Sequence, residues 1–476
     1  PLTVLFLLML SVFEILGNEI FSGVRGLFYV LFLGISVFIT VCYCLRCFSE
    51  RKAGLWCPEI CGTKRIFRVY VVLAVLFLLA NFPFRPSPDA MTVYDVIETG
   101  SWADWHTIGY ISFVDLCMTL ASPIIRHPFS VCIVQTVFWL LIVRRNLAIL
   151  RECLDSERAA RIYLIVNTAL FVPLLYLGVM YKDVVFSMCM LGYIAELFRI
   201  LHTGRTDRKG AVCLALFAAG VGIFRYMGII TAAVCLLVPA VYLFLKKNRS
   251  WRVLLGSVLF AGAVYVSVVY GYGYGVLNMQ KNPDYIKFTV PLYITGNLAS
   301  EHPELFDEKD REVAERLMTM DEWVEAYELD TYFADNLARG GGIIGDRINR
   351  VDNAYGWEIV KLNLRMLVRA PIPYVSALFR ITSIIWQTAR PADGYEWTVA
   401  GYYTPSDQPE LEERHLITED TVLARILGQL EYGLEEQPFV SFLYYRGGIW
   451  AFLLVFAAAV FIIKKRWEFL MIIFPG

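Results

Sequence analysis

PFRPSPDAMTVYDVIETGSWADWHT, residues 83–107, is the stretch whose reading decides how the rest of the chain is understood. It sets Asp89, Asp95, Glu98 and Asp104 against a single arginine, Arg85, with His106 near its end. Apolar segments of helix length stand on both sides of it. A short acidic segment between two such blocks is either solvated loop charge or a carboxylate-bearing site at a membrane face.

The composition favours a membrane setting. Of 476 residues, 57% are hydrophobic and only 18% charged, at a mean hydropathy of +0.54. Soluble chains carry about 25% charge. The apolar residues fall in blocks at 1–16, 26–48, 66–82, 108–124, 128–143, 162–180, 183–201, 211–224, 227–245, 251–270, 443–463 and 467–475. Many approach the ~20 residues that cross a bilayer as a helix. Short alternating strands, the mark of a membrane β-barrel, are absent from the pattern. The expected fold is therefore an all-α polytopic bundle of about ten or more transmembrane helices. Pro1 in place of a methionine, and an end at Gly476 inside an apolar run, read as truncation at both termini. The span number is then a lower bound.

A net charge of −1 hides a segregation. Residues 281–437 hold 28 Asp and Glu against 15 Lys and Arg, whereas the linkers 46–68, 144–161, 199–209, 246–252 and 464–466 are basic. The positive-inside rule places those linkers in the cytoplasm. It puts loops 83–107 and 271–442 outside, in a multi-pass protein of the cell membrane. Parity then demands an odd number of crossings between 107 and 144, where two apolar runs lie. The weaker, 109–125, carries Asp115 and ends in Ser-Pro, so it reads as a surface helix.

The domain plan follows: a bundle over 1–270 including the outer loop 83–127, an outer, mainly helical domain over 271–442, and C-terminal spans over 443–476. Residues 357–386 put Lys361, Arg365, Arg369 and Arg380 on a greasy stretch. That pattern fits a surface helix facing anionic headgroups, or else a buried helix pair of the outer domain. Cys44, Cys47, Cys57 and Cys61 have zinc-like spacing, but scattered thiols at a reducing face explain them as well. No metal or other cofactor is expected.

No GxxxxGK[ST], GxSxG or HExxH motif occurs, so soluble-nucleotide chemistry is not expected, and the charge pattern does not favour nucleic acid. Ionisable residues at the outer face remain. Asp89 has the makings of a general base, with capping of the helix that starts at SPDAM as its competing role. Asp104 and His106 flank an interfacial tryptophan. Lys182-Asp183 and Arg225-Tyr226 lie at later outer turns, on the same side by parity. Two cations near an acid suit a reaction in which a lipid-linked phosphate departs.

The order SPD, DWHT, surface helix, KD and RYMG resembles the GT-C class of integral-membrane glycosyltransferases. It is similar above all to a bacterial polytopic group with a PDS…DWHP first outer loop. The resemblance implies a polyprenyl-phosphate sugar donor, a glycan or cell-wall polymer acceptor, and a loop carboxylate as base. By position, Asp89 matches that acid, and Asp104 and His106 match the second motif. Lys182 and Arg225 match the donor-phosphate site, with Asp183 and Tyr226 in support. Two alternatives stand beside it: a lipid-linked glycan flippase, with charges buried mid-span, and an O-antigen-polymerase-like enzyme leaning on arginines such as Arg365 or Arg380.

Overall fold

A computed structural model of the chain describes residues 63–123, 126–169, 172–329, 344–381, 411, 416–418, 421–436 and 448–473. These residues are helical, with two isolated single-residue bridges between extended segments. The chain divides into two compact units; one holds the described residues 63–281, 411–436 and 457–473, the other 282–381 and 448–456. Cys44, Cys47, Cys57 and Cys61 lie outside the described residues.

The larger unit begins with α1 (Thr63–Ala80) and the short α2 (Pro88–Thr99), followed by a single 3-10 turn (Asp104–His106) and α3 (Ile108–Ala121). Then come α4 (Phe129–Leu154), α5 (Glu157–Ala169), α6 (Lys182–Thr203), α7 (Arg208–Phe224), α8 (Gly228–Leu245) and α9 (Trp251–Tyr265). The last runs on as a π-helix over Val266–Val276. A further helix, α10 (Val422–Glu436), packs against α1.

Four helices among the described residues are long and apolar enough to cross a membrane: Phe129–Leu154, Lys182–Thr203, Gly228–Leu245 and Trp251–Val276. The apolar run at 162–180 is not one helix. It holds α5, one turn of α-helix at Val172–Leu175 and a 3-10 turn at Tyr176–Gly178, with residues 170–171 outside the described residues. The run at 109–125 becomes α3, fourteen residues and about 21 Å long. That is shorter than the ~30 Å hydrocarbon core, in keeping with the parity argument.

Consecutive long helices run up and down, so their ends collect in two groups. At one end lie the starts of α1, α5 and α7 and the ends of α4 and α6. There the Thr63 hydroxyl donates to Glu157, and Asn248 Nδ2 donates to the Gly204 carbonyl at 2.7 Å. At the other end lie residues 81–112, 177–183 and 223–228.

The smaller unit is a helical domain built on α11 (Thr289–Glu301), α12 (Glu308–Glu315), α13 (Met320–Leu329), α14 (Asn353–Arg369) and α15 (Pro371–Ile381). Its core centres on Trp323, 1% exposed, whose indole N–H donates to the Ala314 carbonyl. Of the stretch 357–386, residues 357–381 are described; they form an amphipathic part of α14 and α15, with Trp357, Leu364, Val368 and Ile372 exposed and the arginines paired within the unit. On α14, Tyr355, Ile359, Leu362 and Met366 enter the core, and Asn363 Nδ2 donates to Pro291, Thr295 and Ile359. Arg365 and Arg369 close on the fully buried Asp310, and Arg380 pairs with Glu301. A carboxylate partner within the fold removes the need for an anionic surface.

Candidate functional site

The site is built from the backbone outward. Ser87 is extended (φ −116°, ψ 162°), and its hydroxyl accepts from the Ala90 N–H, so Ser87 caps α2 with Pro88 in the first turn. Asp89 is thereby relieved of the capping role. Its carboxylate, 28% exposed, sits 3.3 Å from Lys182 Nζ. Lys182 reaches it because the lead-in to α6 is fixed: the Arg85 N–H donates to the Gly178 carbonyl at 2.9 Å, and Gln135 Nε2 donates to the Val179 carbonyl at 3.0 Å.

Past the left-handed Gly100 that ends α2, the chain is pinned to residue 280. The Gln280 N–H donates to Trp102 and the Asp104 N–H to Gln280. This places the buried Asp104 against the π-helix, where Tyr274 donates to its Oδ2 at 2.8 Å. Burial raises the Asp104 carboxyl above the ordinary carboxylate value, and the Tyr274 hydrogen bond opposes the rise.

His106 follows, 3% exposed, with Nδ1 at 3.3 Å from Lys182 Nζ. An ammonium only donates, so Nδ1 accepts and Nε2 carries the ring proton. Burial and, after it, the Lys182 charge lower the imidazole to about 4, against the opposing pull of Asp89. The neutral ring stands 3.9 Å from Asp89 Oδ2, too far for a hydrogen bond. Lys182 is thus the link between the other two.

Thr107 then takes φ 61°, ψ 126°, a costly conformation for a β-branched residue, and its buried Oγ1 has no hydrogen-bond partner among the described residues. The strain turns the chain directly into α3. Two residues on, Gly109 lets α3 touch the end of α7: a Cβ there would lie 2.5 Å from the Ile223 carbonyl oxygen. The contact brings the following turn into range, where Arg225 pairs with Asp183 and stacks over Phe186.

The structure therefore brings Asp89, His106 and Lys182 into one contact set. Asp183 and Arg225 adjoin it through the first turn of α6, and Asp104 adjoins it through the 3-10 turn. Tyr226 is 38% exposed and makes no hydrogen bond to these residues. Asp95 and Glu98 are exposed on α2, Glu98 lying 3.9 Å from Arg126.

Several participants escaped the sequence reading. Arg85 forms a two-pronged pair with Glu431 of α10, both contacts at 2.7 Å. Tyr110, 1% exposed, keeps an unpartnered hydroxyl among the described residues, within electrostatic reach of Asp89 and Asp183. Tyr274 had a visible signal in YGYGYG, residues 270–275, an alternation foreign to an apolar span.

Chemically, the set and its neighbours offer three carboxyl groups (Asp89, Asp104 and Asp183), two cations and a neutral imidazole on one end of a helical bundle. Comparison of the chain with protein-family models, with curated proteins and with solved structures finds no match.

Proposed function

We propose that the chain is a multi-pass cell-membrane glycosyltransferase of GT-C-like architecture, with about ten or more spans. It transfers a sugar from a polyprenyl-phosphate donor to a cell-envelope acceptor. In this reading residues 83–107 and 271–442 are extracytoplasmic and the reaction takes place at the outer membrane face. Asp89 takes the proton from the acceptor hydroxyl as its oxygen attacks the anomeric carbon. The bond from that carbon to the phosphate oxygen breaks with inversion, and the lipid phosphate leaves between Lys182 and Arg225. Asp104 and His106 position the base and the acceptor, with Asp183 and Tyr226 lining the site.

One observation carries the proposal: Asp89, His106 and Lys182 form a single contact set, with Asp183–Arg225 beside it, at one end of the bundle. The flippase alternative predicts charges buried mid-span; the fully buried Glu196 of α6 is such a charge, closed into an ion network with Arg145 and Arg199. The polymerase-like alternative leans on arginines such as Arg365 and Arg380, which are paired with Asp310 and Glu301.

The test is transfer of radiolabelled sugar from polyprenyl-phosphate donors to endogenous acceptor in membranes, wild type against Asp89→Asn. Loss of about 100-fold or more is expected for removal of a general base. Transfer at the wild-type rate would remove Asp89 from the chemistry.

A further inference from the structure

Both cations of the candidate site already have a carboxylate partner. Lys182 Nζ lies 3.3 Å from Asp89, and Arg225 is paired with Asp183. A phosphate group cannot settle on two cations so engaged without disturbing the acids beside them. Three features indicate that the Lys182 contact is made to be exchanged.

Its length is the first. Strong ammonium–carboxylate hydrogen bonds run at about 2.7–2.9 Å, so a 3.3 Å contact is a loose one. The second is donor bookkeeping. An ammonium has three N–H groups, and Asp89 and His106 are the only two acceptors found for Lys182 among the described residues, which leaves one N–H unspent. The third is position. Lys182 occupies the first turn of α6, where the helix dipole disfavours a cation, and Tyr181 before it supplies no side-chain cap. That helix end suits an anion, such as the Asp183 beside it, better than the lysine it carries. Solvent reaches all four groups: side-chain exposure is 19% for Lys182, 28% for Asp89, 26% for Asp183 and 53% for Arg225.

We infer that Asp89 and Asp183 act as resident competitors for a phosphate group: an incoming phosphate ester takes Lys182 and Arg225, and the displaced carboxylates turn away from them. The inference rests on the proposed placement of a phosphate at these two cations. It adds an order of events to that placement. Before the phosphate arrives, the Asp89 carboxylate is occupied by Lys182 and is not free to meet an acceptor hydroxyl. Once Lys182 has moved to the phosphate, the Asp89 carboxylate is released for an acceptor hydroxyl. The base becomes available only when the donor is in place, which limits wasteful hydrolysis. Phosphate monoesters and diesters share the required chemistry, whether from a lipid headgroup or in free solution.

Phosphate binding to the full-length chain in detergent tests this, by titration calorimetry with inorganic phosphate and again in nanodiscs loaded with polyprenyl phosphate. Asp89→Asn removes the competitor while keeping its shape, and should bind phosphate about 2- to 5-fold tighter than wild type, the size of the ~0.4–1 kcal/mol of a partly exposed pair. Lys182→Met should lose at least tenfold, and the double variant should resemble Lys182→Met alone. Asp95→Asn makes the same change in net charge from an exposed position on α2, and should leave binding unchanged. Tightening with polyprenyl phosphate but not with inorganic phosphate identifies the lipid as the source and supports the exchange. Equal or weaker binding by Asp89→Asn to both sources overturns it, as does an equal gain in Asp95→Asn or absence of binding from both sources. The two proposals fail separately. Competition without sugar transfer sinks the transferase, and transfer without competition sinks the exchange.

Discussion

The two ends of the helical bundle carry similar residues arranged to opposite effect. At one end Glu196, fully buried, accepts from Arg145 Nε at 2.6 Å and from Arg199 Nε at 3.1 Å. Arg199 continues to Asp207 and Thr206, both at 2.9 Å, and to Glu152 at 3.5 Å. Each of these ions has a partner within 3.5 Å, and Arg199 is 4% exposed in its side chain. At the other end Asp89, Lys182 and His106 stand at 3.3–3.9 Å, partly open, beside a strained threonine and a buried unpartnered tyrosine hydroxyl. Acids and bases in closed, short contacts hold helices together. The same groups in loose contacts at an accessible end are available for exchange. Partner geometry, not residue type, separates a latch from a site.

The sharpest way to break this comparison is to neutralise one acid at each end. Glu196→Gln takes the buried carboxylate from Arg145 and removes one of the acid partners of Arg199, and should cost about 3 kcal/mol of stability. Thermal denaturation in detergent should show a large fall in the unfolding temperature. Asp89→Asn should shift stability by less than ~1 kcal/mol, as for partly exposed pairs, while sugar transfer is lost. Equal destabilisation by the two variants would erase the distinction.

Two glycines sharpen it. A Cβ on Gly210 would lie 1.5 Å from Arg199 Nη2, and one on Gly109 would meet the Ile223 carbonyl at 2.5 Å. Gly210→Ala should destabilise by about 1–3 kcal/mol and leave the transfer rate per folded molecule intact. Gly109→Ala, at comparable cost, should lower that rate, because it moves the start of α3 and its neighbour His106 away from the α7–α8 turn. Transfer assays normalised to folded protein separate the two.

A gentler probe is pH. His106 titrates near 4 in the folded chain and near its ordinary 6.5 when unfolded, so the unfolded state binds its proton first as pH falls. Its contribution is level above about pH 6.5, turns increasingly unfavourable between there and about 4, and is level again below. His106→Gln should flatten that part of the stability profile. An unchanged slope would mean that the ring is not buried beside Lys182. Smallest of all, Tyr274→Phe should cost about 1 kcal/mol and move the Asp104 titration upward, since the lost hydrogen bond favours its charged form.

Much of the fold is legible in the sequence, because apolar runs and basic linkers report physical constraints acting over about twenty residues. The long helices lie within or close to those runs, and Asp89, Lys182 and Arg225 share an end as parity requires. Pairing is less legible. Lys182 meets Asp89 across 93 residues, Tyr274 meets Asp104 across 170, and Arg85 meets Glu431 across 346. Charge periodicity carries no information about such partners. It equally could not tell an arginine facing headgroups from Arg365 closing on Asp310. The Asp89 capping question turned on one residue: Ser87, immediately before Pro88, is the better cap, and the helix start admits only one.

The central claim is that Asp89 belongs to a reaction and not to the scaffold. It is tested most directly by measuring sugar transfer from a polyprenyl-phosphate donor and the unfolding temperature on the same preparations of wild type and Asp89→Asn. The arrangement at Lys182 predicts an unfolding temperature within about 2 °C of wild type, the scale of a change below 1 kcal/mol in a large chain, together with transfer reduced ~100-fold or more. A variant that transfers sugar at the wild-type rate, or that loses transfer only in proportion to folded protein, would contradict it.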